Sequence, residues 1–280
     1  MKTRIISGIV MGVVVAAALA LGLLWNSIVI TAFIAVLAAM AVYELLHNAV
    51  GIKSKVALIG ACIYSVLVVF TTALPIYPLL FLSVIYFLFG VCVVLKYNKE
   101  FTLADISSLC ALPLALSFSF YCLCQVINFE NGLYYLLLLL NFSSVCDMGA
   151  YFTGVTCGKH KLCPNVSPKK TVEGAIGGVV FATIFVMLFG LAVSYITENI
   201  AELPDMKPDY LVLGILGAAL SVVSQMGDLF ASVIKREHGA KDYGVIFPGH
   251  GGVMDRFDSI LLVALVTMVV CMFVKPFVLA

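Results

Sequence analysis

Long apolar runs, separated by short polar breaks, extend along the chain from its first residues to its last. A bilayer hydrocarbon core of about 30 Å takes roughly 20 apolar residues per helix. On that measure nine spans are predicted, near 5–24, 27–46, 56–74, 76–95, 106–127, 132–155, 172–196, 210–233 and 257–279. The breaks fall at Trp25-Asn26, Lys53–Lys55, Pro75 to Pro78, Lys96–Glu100, Asn128–Gly132, Gly158–Lys170, Glu198–Asp209 and Lys235–Asp255. The predicted fold class is therefore all-α and polytopic. Residues 1–130 hold ordinary membrane spans. Residues 131–280 form a second region whose apolar pattern is interrupted by polar loops at 158–170 and 235–255.

Composition agrees with lipid as the main solvent. Hydrophobic residues make up 63% of the 280 and charged residues 11%, where a soluble domain carries roughly a quarter charged residues. The first run, with Lys2 and Arg4 before it, has the charge of a signal peptide. It is too long for one and lacks a small-residue cleavage site, so it is expected to be a retained helix. All of the 16 basic residues except Lys207 and Lys275 fall in alternate connectors, the others being Lys2, Arg4, Lys53, Lys55, Lys96, Lys99, Lys159, Lys161, Lys169, Lys170, Lys235, Arg236, Lys241 and Arg256. The connector between spans seven and eight is acidic, with Glu198, Glu202, Asp205 and Asp209. That asymmetry predicts a cytoplasmic N-terminus and an outside C-terminus. The nine cysteines lie mostly in apolar runs and read as small hydrophobes. Cys157, His160 and Cys163 match no standard zinc spacing.

Three groups of residues ask for chemistry rather than topology. A carboxylate at a helix centre costs roughly 2.5–3.5 kcal/mol on insertion scales, so Asp147 and Asp228 should face a polar cavity or a partner. Asp228 belongs to a stripe of Ser221, Ser224, Asp228, Ser232 and Lys235 at helical spacing, which predicts one cavity wall. The alternative, a helix-packing seam of small residues, explains the serines better than Asp228 or Lys235. The distal loop holds Lys235, Arg236 and Lys241, then Pro248-Gly249-His250-Gly251-Gly252, then Asp255, Arg256 and Asp258. Cations and glycines suit an anion, and the two aspartates offer hard oxygen ligands of the kind Mg²⁺ takes. The loop at 158–170 supplies a second basic cluster with Ser167, Lys169, Lys170 and Thr171, and it has no Walker pattern. Glu44 and His47 share a helix face near Lys53, where interfacial snorkelling is the expectation.

Ser232 to Asp258 resembles the signature of the phosphatidate cytidylyltransferases (CDP-diacylglycerol synthases). The resemblance reaches back through Ser224-Gln225-x-Gly227-Asp228, Ser167-Pro168-Lys169-Lys170-Thr171-x-Glu173-Gly174 and Asp147-x-x-Ala150-Tyr151-x-x-Gly154. Residues before 130 resemble the family only in being hydrophobic, and Val172 stands where many members have tryptophan. The resemblance implies a nucleotidyltransferase that joins CTP and phosphatidic acid to give CDP-diacylglycerol and pyrophosphate, at the cytoplasmic face of the inner (plasma) membrane. With that reaction, Asp228 and Asp255 are expected to hold one or two Mg²⁺ ions, Asp258 and Asp147 being the second choices. Lys235 joins the two aspartates in catalysis. Ser167, Lys169, Lys170, Thr171, Ser224, Ser232, Arg236, Lys241, His250 and Arg256 are the implied substrate contacts. The lipid bilayer and a second copy of the chain are candidate partners; nucleic acid is not.

Two other classes bear comparison. A secondary transporter would carry its ionisable residues near mid-bilayer in symmetric halves, whereas here they crowd span ends in one half. A CTP-dependent lipid kinase shares substrates with the first reading, and its product, CDP rather than pyrophosphate, separates the two.

Overall fold

The computed structural model describes residues 2–97, 101–129, 131–200, 206–237, 239, 240 and 242–279. Lys99, Lys241, Glu202 and Asp205 lie outside the described residues. Among those described are nine α-helices: α1 (Lys2–Leu24), α2 (Ile28–Tyr43), α3 (Lys55–Phe70), α4 (Tyr77–Lys96), α5 (Leu103–Gln125), α6 (Gly132–Cys157), α7 (Val172–Asn199), α8 (Tyr210–Glu237) and α9 (Met254–Cys271). Seven of them, α2 to α8, are long and apolar enough to cross a membrane. α1 contributes a shorter apolar stretch, Ile6–Gly22. α9 opens on Asp255, Arg256 and Asp258, which breaks its apolar run.

The chain is not purely helical. An antiparallel hairpin of β1 (Lys161–Cys163) and β2 (Ser167–Thr171) occupies the 158–170 loop, and β3 (Met206–Pro208) pairs with β4 (Phe277–Leu279). The last span expected at 257–279 accordingly runs three residues earlier at its start and stops at Cys271. Its tail turns at Pro276, whose carbonyl accepts the Asp209 N–H, and then enters β4. A proline cannot extend a helix, and the residue before it is pushed toward extended conformations.

Two compact units are present: Met1–Gln125 with Ile234–Phe257, and Val126–Val233 with Asp258–Ala280. In the first, α2, α3 and α5 pack closely through small buried residues such as Ala35, Ala38, Ala41, Ala57 and Ala61. Without a hydrophobic drive between helices in lipid, close backbone approach supplies the dispersion that holds them. Pro113 inside α5 removes the amide that would serve the Leu109 carbonyl four residues back. The Tyr86 hydroxyl of α4 donates to that carbonyl at 2.8 Å, so the proline leaves no unsatisfied group in the core.

In the second unit α6 lies along α7. Gly174 sits where a side chain could not: a β-carbon there would meet the Ala150 carbonyl oxygen at 2.7 Å. A chain of hydroxyls ties α6 to α8 and α9. Ser143 Oγ stands 2.9 Å from Ser224 Oγ and donates to Ser259 Oγ at 2.9 Å, while Cys146 Sγ lies 3.0 Å from Ser221 Oγ.

Candidate active site

In the second unit, α6, β2, the start of α7 and α8 enclose a cavity of about 460 Å³. Asp147 and Tyr151 line it from α6, Lys169, Lys170 and Thr171 from β2, and Gln225 and Asp228 from α8. Lys170 and Asp228 form an ion pair whose side chains are each 27% exposed, so it is shielded yet reachable from the cavity. The hairpin that delivers Lys170 is held at both ends. Thr171 caps α7 by accepting the Gly174 N–H at 3.1 Å. Glu173, in the first turn of α7, accepts the backbone N–H groups of Lys159 at 3.0 Å and His160 at 3.2 Å, and pairs with the His160 ring at 2.6 Å. A short, polar strand with little apolar surface thus gains its order from side-chain anchors on the helix it precedes.

The stripe read along α8 divides in two. Asp228 faces the cavity. Ser221 and Ser224 are buried and spent on α6, which is the helix-seam reading of the serines. Ser167 pairs with Cys163 in the hairpin, and Ser232 is half-buried on α8; neither lines the cavity. Gln225, which carried no role in the sequence reading, donates to the Ala175 carbonyl at 3.2 Å and braces α8 against α7 beside Asp228. Asp258 is half-buried and accepts the Ser259 N–H at 2.8 Å.

The first unit holds the rest of the signature. Asp255, on the first turn of α9, accepts the Lys235 ammonium at 3.0 Å, and the two side chains are only 4% and 12% exposed. Its other oxygen accepts the Tyr243 N–H at 2.8 Å and the Gly252 N–H at 2.9 Å. Lys235 also lies 4.9 Å over the centre of the buried Tyr243 ring, a cation–π contact. The turn depends on Gly251, whose φ of +84° is disfavoured for residues with a side chain. His250 Nδ1 shares a hydrogen bond with Ser7 Oγ at 2.7 Å, and the Ser7 hydroxyl also lies 3.0 Å from the Pro248 carbonyl that can accept from it. Arg236 and Arg256 are exposed, and Arg236 reaches the Ala240 carbonyl at 3.4 Å. Lys241, a further expected contact, lies outside the described residues.

Glu44 overturns its sequence reading. It does not snorkel to an interface. It is 1% exposed, and its two oxygens accept the backbone N–H groups of Val253 at 3.0 Å and Met254 at 2.9 Å, capping α9 one residue before Asp255. Gly244 and Gly252 press against the same carboxylate, with no room for a β-carbon at either position. A lone carboxylate within an otherwise apolar run was the available signal; its partners, some 210 residues along the chain, were not legible.

Chemically, the cavity in the second unit offers two carboxylates, Asp147 and Asp228, and three ammonium groups, Lys161, Lys169 and Lys170, a set that suits phosphate oxygens and a hard cation together. Among the described residues, no three His, Cys, Asp or Glu side chains gather as a ready-made metal cage. One or two carboxylates with substrate phosphates are the usual Mg²⁺ environment, and Asp147 with Asp228 meets that requirement. The sequence profile of the cytidylyltransferase family matches residues 2–274. The chain belongs to the cytidylyltransferase family. Among curated members, it is 37% identical over 181 residues to the phosphatidate cytidylyltransferase of Bacillus subtilis (strain 168), covering 63% of each chain. It is 42% identical over 134 residues to the enzymes of that name from Staphylococcus saprophyticus and Staphylococcus aureus (strain COL), covering 48% of this chain and 47% of each relative. The matched stretch thus spans less than two thirds of those relatives.

Proposed function

We infer that the chain is a phosphatidate cytidylyltransferase, joining CTP to the phosphate of phosphatidic acid and releasing pyrophosphate. The observation that carries this reading is the Lys170–Asp228 pair on a cavity wall inside an apolar helical bundle of the cytidylyltransferase family. The second pKa of a phosphate monoester is near 6, so the lipid phosphate is already a nucleophile and needs no general base. What the reaction needs is charge compensation while two anions meet and pyrophosphate departs. Lys169 and Lys170 supply ammonium groups at the cavity, and Asp228 holds Lys170 in place there. In the first unit, Lys235 and the glycine turn around His250 offer a further cation and backbone N–H groups.

In the second unit Asp228 is the carboxylate we assign to Mg²⁺, followed by Asp147 and Asp258; in the first unit Asp255 is the carboxylate so assigned. When bound, the ion would offset the charge that develops on the phosphate oxygens. Asp255 also orders its own turn through the Tyr243 and Gly252 amides, which sets the direction in which Lys235 points.

For topology we propose nine spans, α1 and α9 joining the seven long helices, with a cytoplasmic N-terminus and the β1–β2 hairpin on the cytoplasmic side. The alternation of basic connectors supports this arrangement. The bacterial relatives support a plasma-membrane location. Purified protein given CTP and phosphatidic acid should release pyrophosphate in a Mg²⁺-dependent manner. Release of CDP with no pyrophosphate would assign the lipid-kinase reaction in its place.

A further inference from the structure

A second cavity, of about 500 Å³, lies in the first unit, where α2 ends and α3 begins. Its polar end is built from Tyr43, His47, Lys53 and Lys55, and its apolar side includes Ile59 and Ile63. The local backbone explains the grouping. α2 does not finish as an α-helix but widens into a π-helical turn over Glu44–Val50, a form that is rare and concentrates at functional sites. Gly51, at φ +86°, ends that turn, and the Ile52 N–H returns to the Leu46 carbonyl at 2.9 Å. The reversal brings the Lys53–Lys55 connector beside the Tyr43–His47 pair, whose rings stack at 5.1 Å.

Two features separate this cluster from ordinary topology charges. First, the His47 ring is oriented by its stacking on Tyr43 and by donating Nδ1–H to the Ile52 carbonyl at 3.2 Å, which leaves Nε2 uncommitted by that bond. Second, the cations share one cavity with apolar side chains of a membrane-length helix. Ile59 and Ile63 are 59% and 54% exposed, and they lie four residues apart on one face of α3. A free anion would satisfy the lysines and leave the isoleucine wall unused. A hydrocarbon chain would do the reverse.

We propose that this cavity binds an anionic phospholipid, the phosphate lying among Tyr43, His47, Lys53 and Lys55 and an acyl chain running along Ile59 and Ile63. Each lysine near a membrane surface attracts anionic lipid, and a charge-assisted hydrogen bond adds to that where the phosphate is held directly. The site shares no lining residue with the proposed catalytic cavity and is tested without reference to turnover.

The full-length protein and a Lys53→Glu/Lys55→Glu variant would be reconstituted in phosphatidylcholine vesicles doped with phosphatidylglycerol. Each would then be extracted into mild detergent and weighed intact by native mass spectrometry. The wild type should retain a bound phosphatidylglycerol that the variant lacks, with apparent affinity lowered at least about tenfold. A Lys53→Gln/Lys55→Gln variant, which adds no repulsion, should show the same direction of change and guards against misfolding of the first. A benzophenone side chain at Ile63 should crosslink to phosphatidylglycerol in the wild type and lose that adduct in both variants. Equal retention and equal crosslinking in all three proteins would overturn the proposal. So would lysine-dependent binding of inorganic phosphate in pure phosphatidylcholine with the same affinity, which would make the site one for a free anion.

Discussion

Removing the Glu44 carboxylate should loosen the turn that carries Asp255 while leaving the hairpin and α7 untouched. Glu44→Ala strands two buried amides, those of Val253 and Met254, which now donate at 3.0 and 2.9 Å. Each unsatisfied buried donor costs about 1–3 kcal/mol, so the local penalty is about 2–6 kcal/mol. Glu44→Gln keeps one acceptor oxygen and turns an amide N–H against the other donor, for about half that cost. The measurement is hydrogen–deuterium exchange of peptides covering 243–257, read against peptides covering 161–175 as an internal reference. Opening free energy sets the exchange rate, so Glu44→Ala should speed exchange of the first set at least about thirtyfold and Glu44→Gln by less. Gly252→Ala tests the contact from the other side, because its new β-carbon would overlap the Glu44 carboxylate. Its effect should shrink when combined with Glu44→Ala, since the atoms it strikes are gone. If both Glu44 variants left the 243–257 exchange unchanged, the capping argument would be wrong.

Further expectations concern the chemistry and the topology. Asp228→Asn and Asp255→Asn should each insert normally yet lower Mg²⁺-dependent pyrophosphate release by several orders of magnitude; near-wild-type rates across a Mg²⁺ titration would remove them from the metal assignment. Lys170→Ala should reduce kcat/KM for CTP about ten- to a hundredfold through loss of a charged phosphate contact, and activity within twofold of wild type would make Lys170 a topology charge only. In a cysteine-free background, a cysteine at Glu198 should react with an impermeant maleimide added to whole cells, while one at Lys159 should react only after lysis. The opposite pattern would invert the proposed orientation.

The helical plan was legible because lipid imposes one strong rule, a run of apolar residues long enough to span, and α2 to α8 obey it. Lys170 and Asp228, which the structure brings together on one cavity wall, were legible as candidates because a charge inside or beside such a run stands out. The β1–β2 hairpin was not legible. Its strands are too short and polar to show alternation, and Glu173 and Thr171 hold them through side-chain bonds rather than a buried face. The start of α9 was placed too late because Asp255 and Arg256 read as loop, although an acidic residue is favoured in a helix's first turn. Ser224 shows the opposite error. Helical spacing put it on the Asp228 stripe, yet a hydroxyl with a partner at 2.9 Å on α6 is satisfied inside the bundle and is not free for substrate.

The distance along the chain between Glu44 and the amides it caps has a consequence for biogenesis. Val253 and Met254 leave the ribosome 209 and 210 residues after Glu44. At translation rates of roughly 5–20 residues per second, the N-terminal helices wait about 10–40 s in the membrane with that carboxylate uncapped. A ribosome that stalls or terminates before α9 therefore releases a protein whose Glu44 carboxylate lacks the Val253 and Met254 amides that cap it.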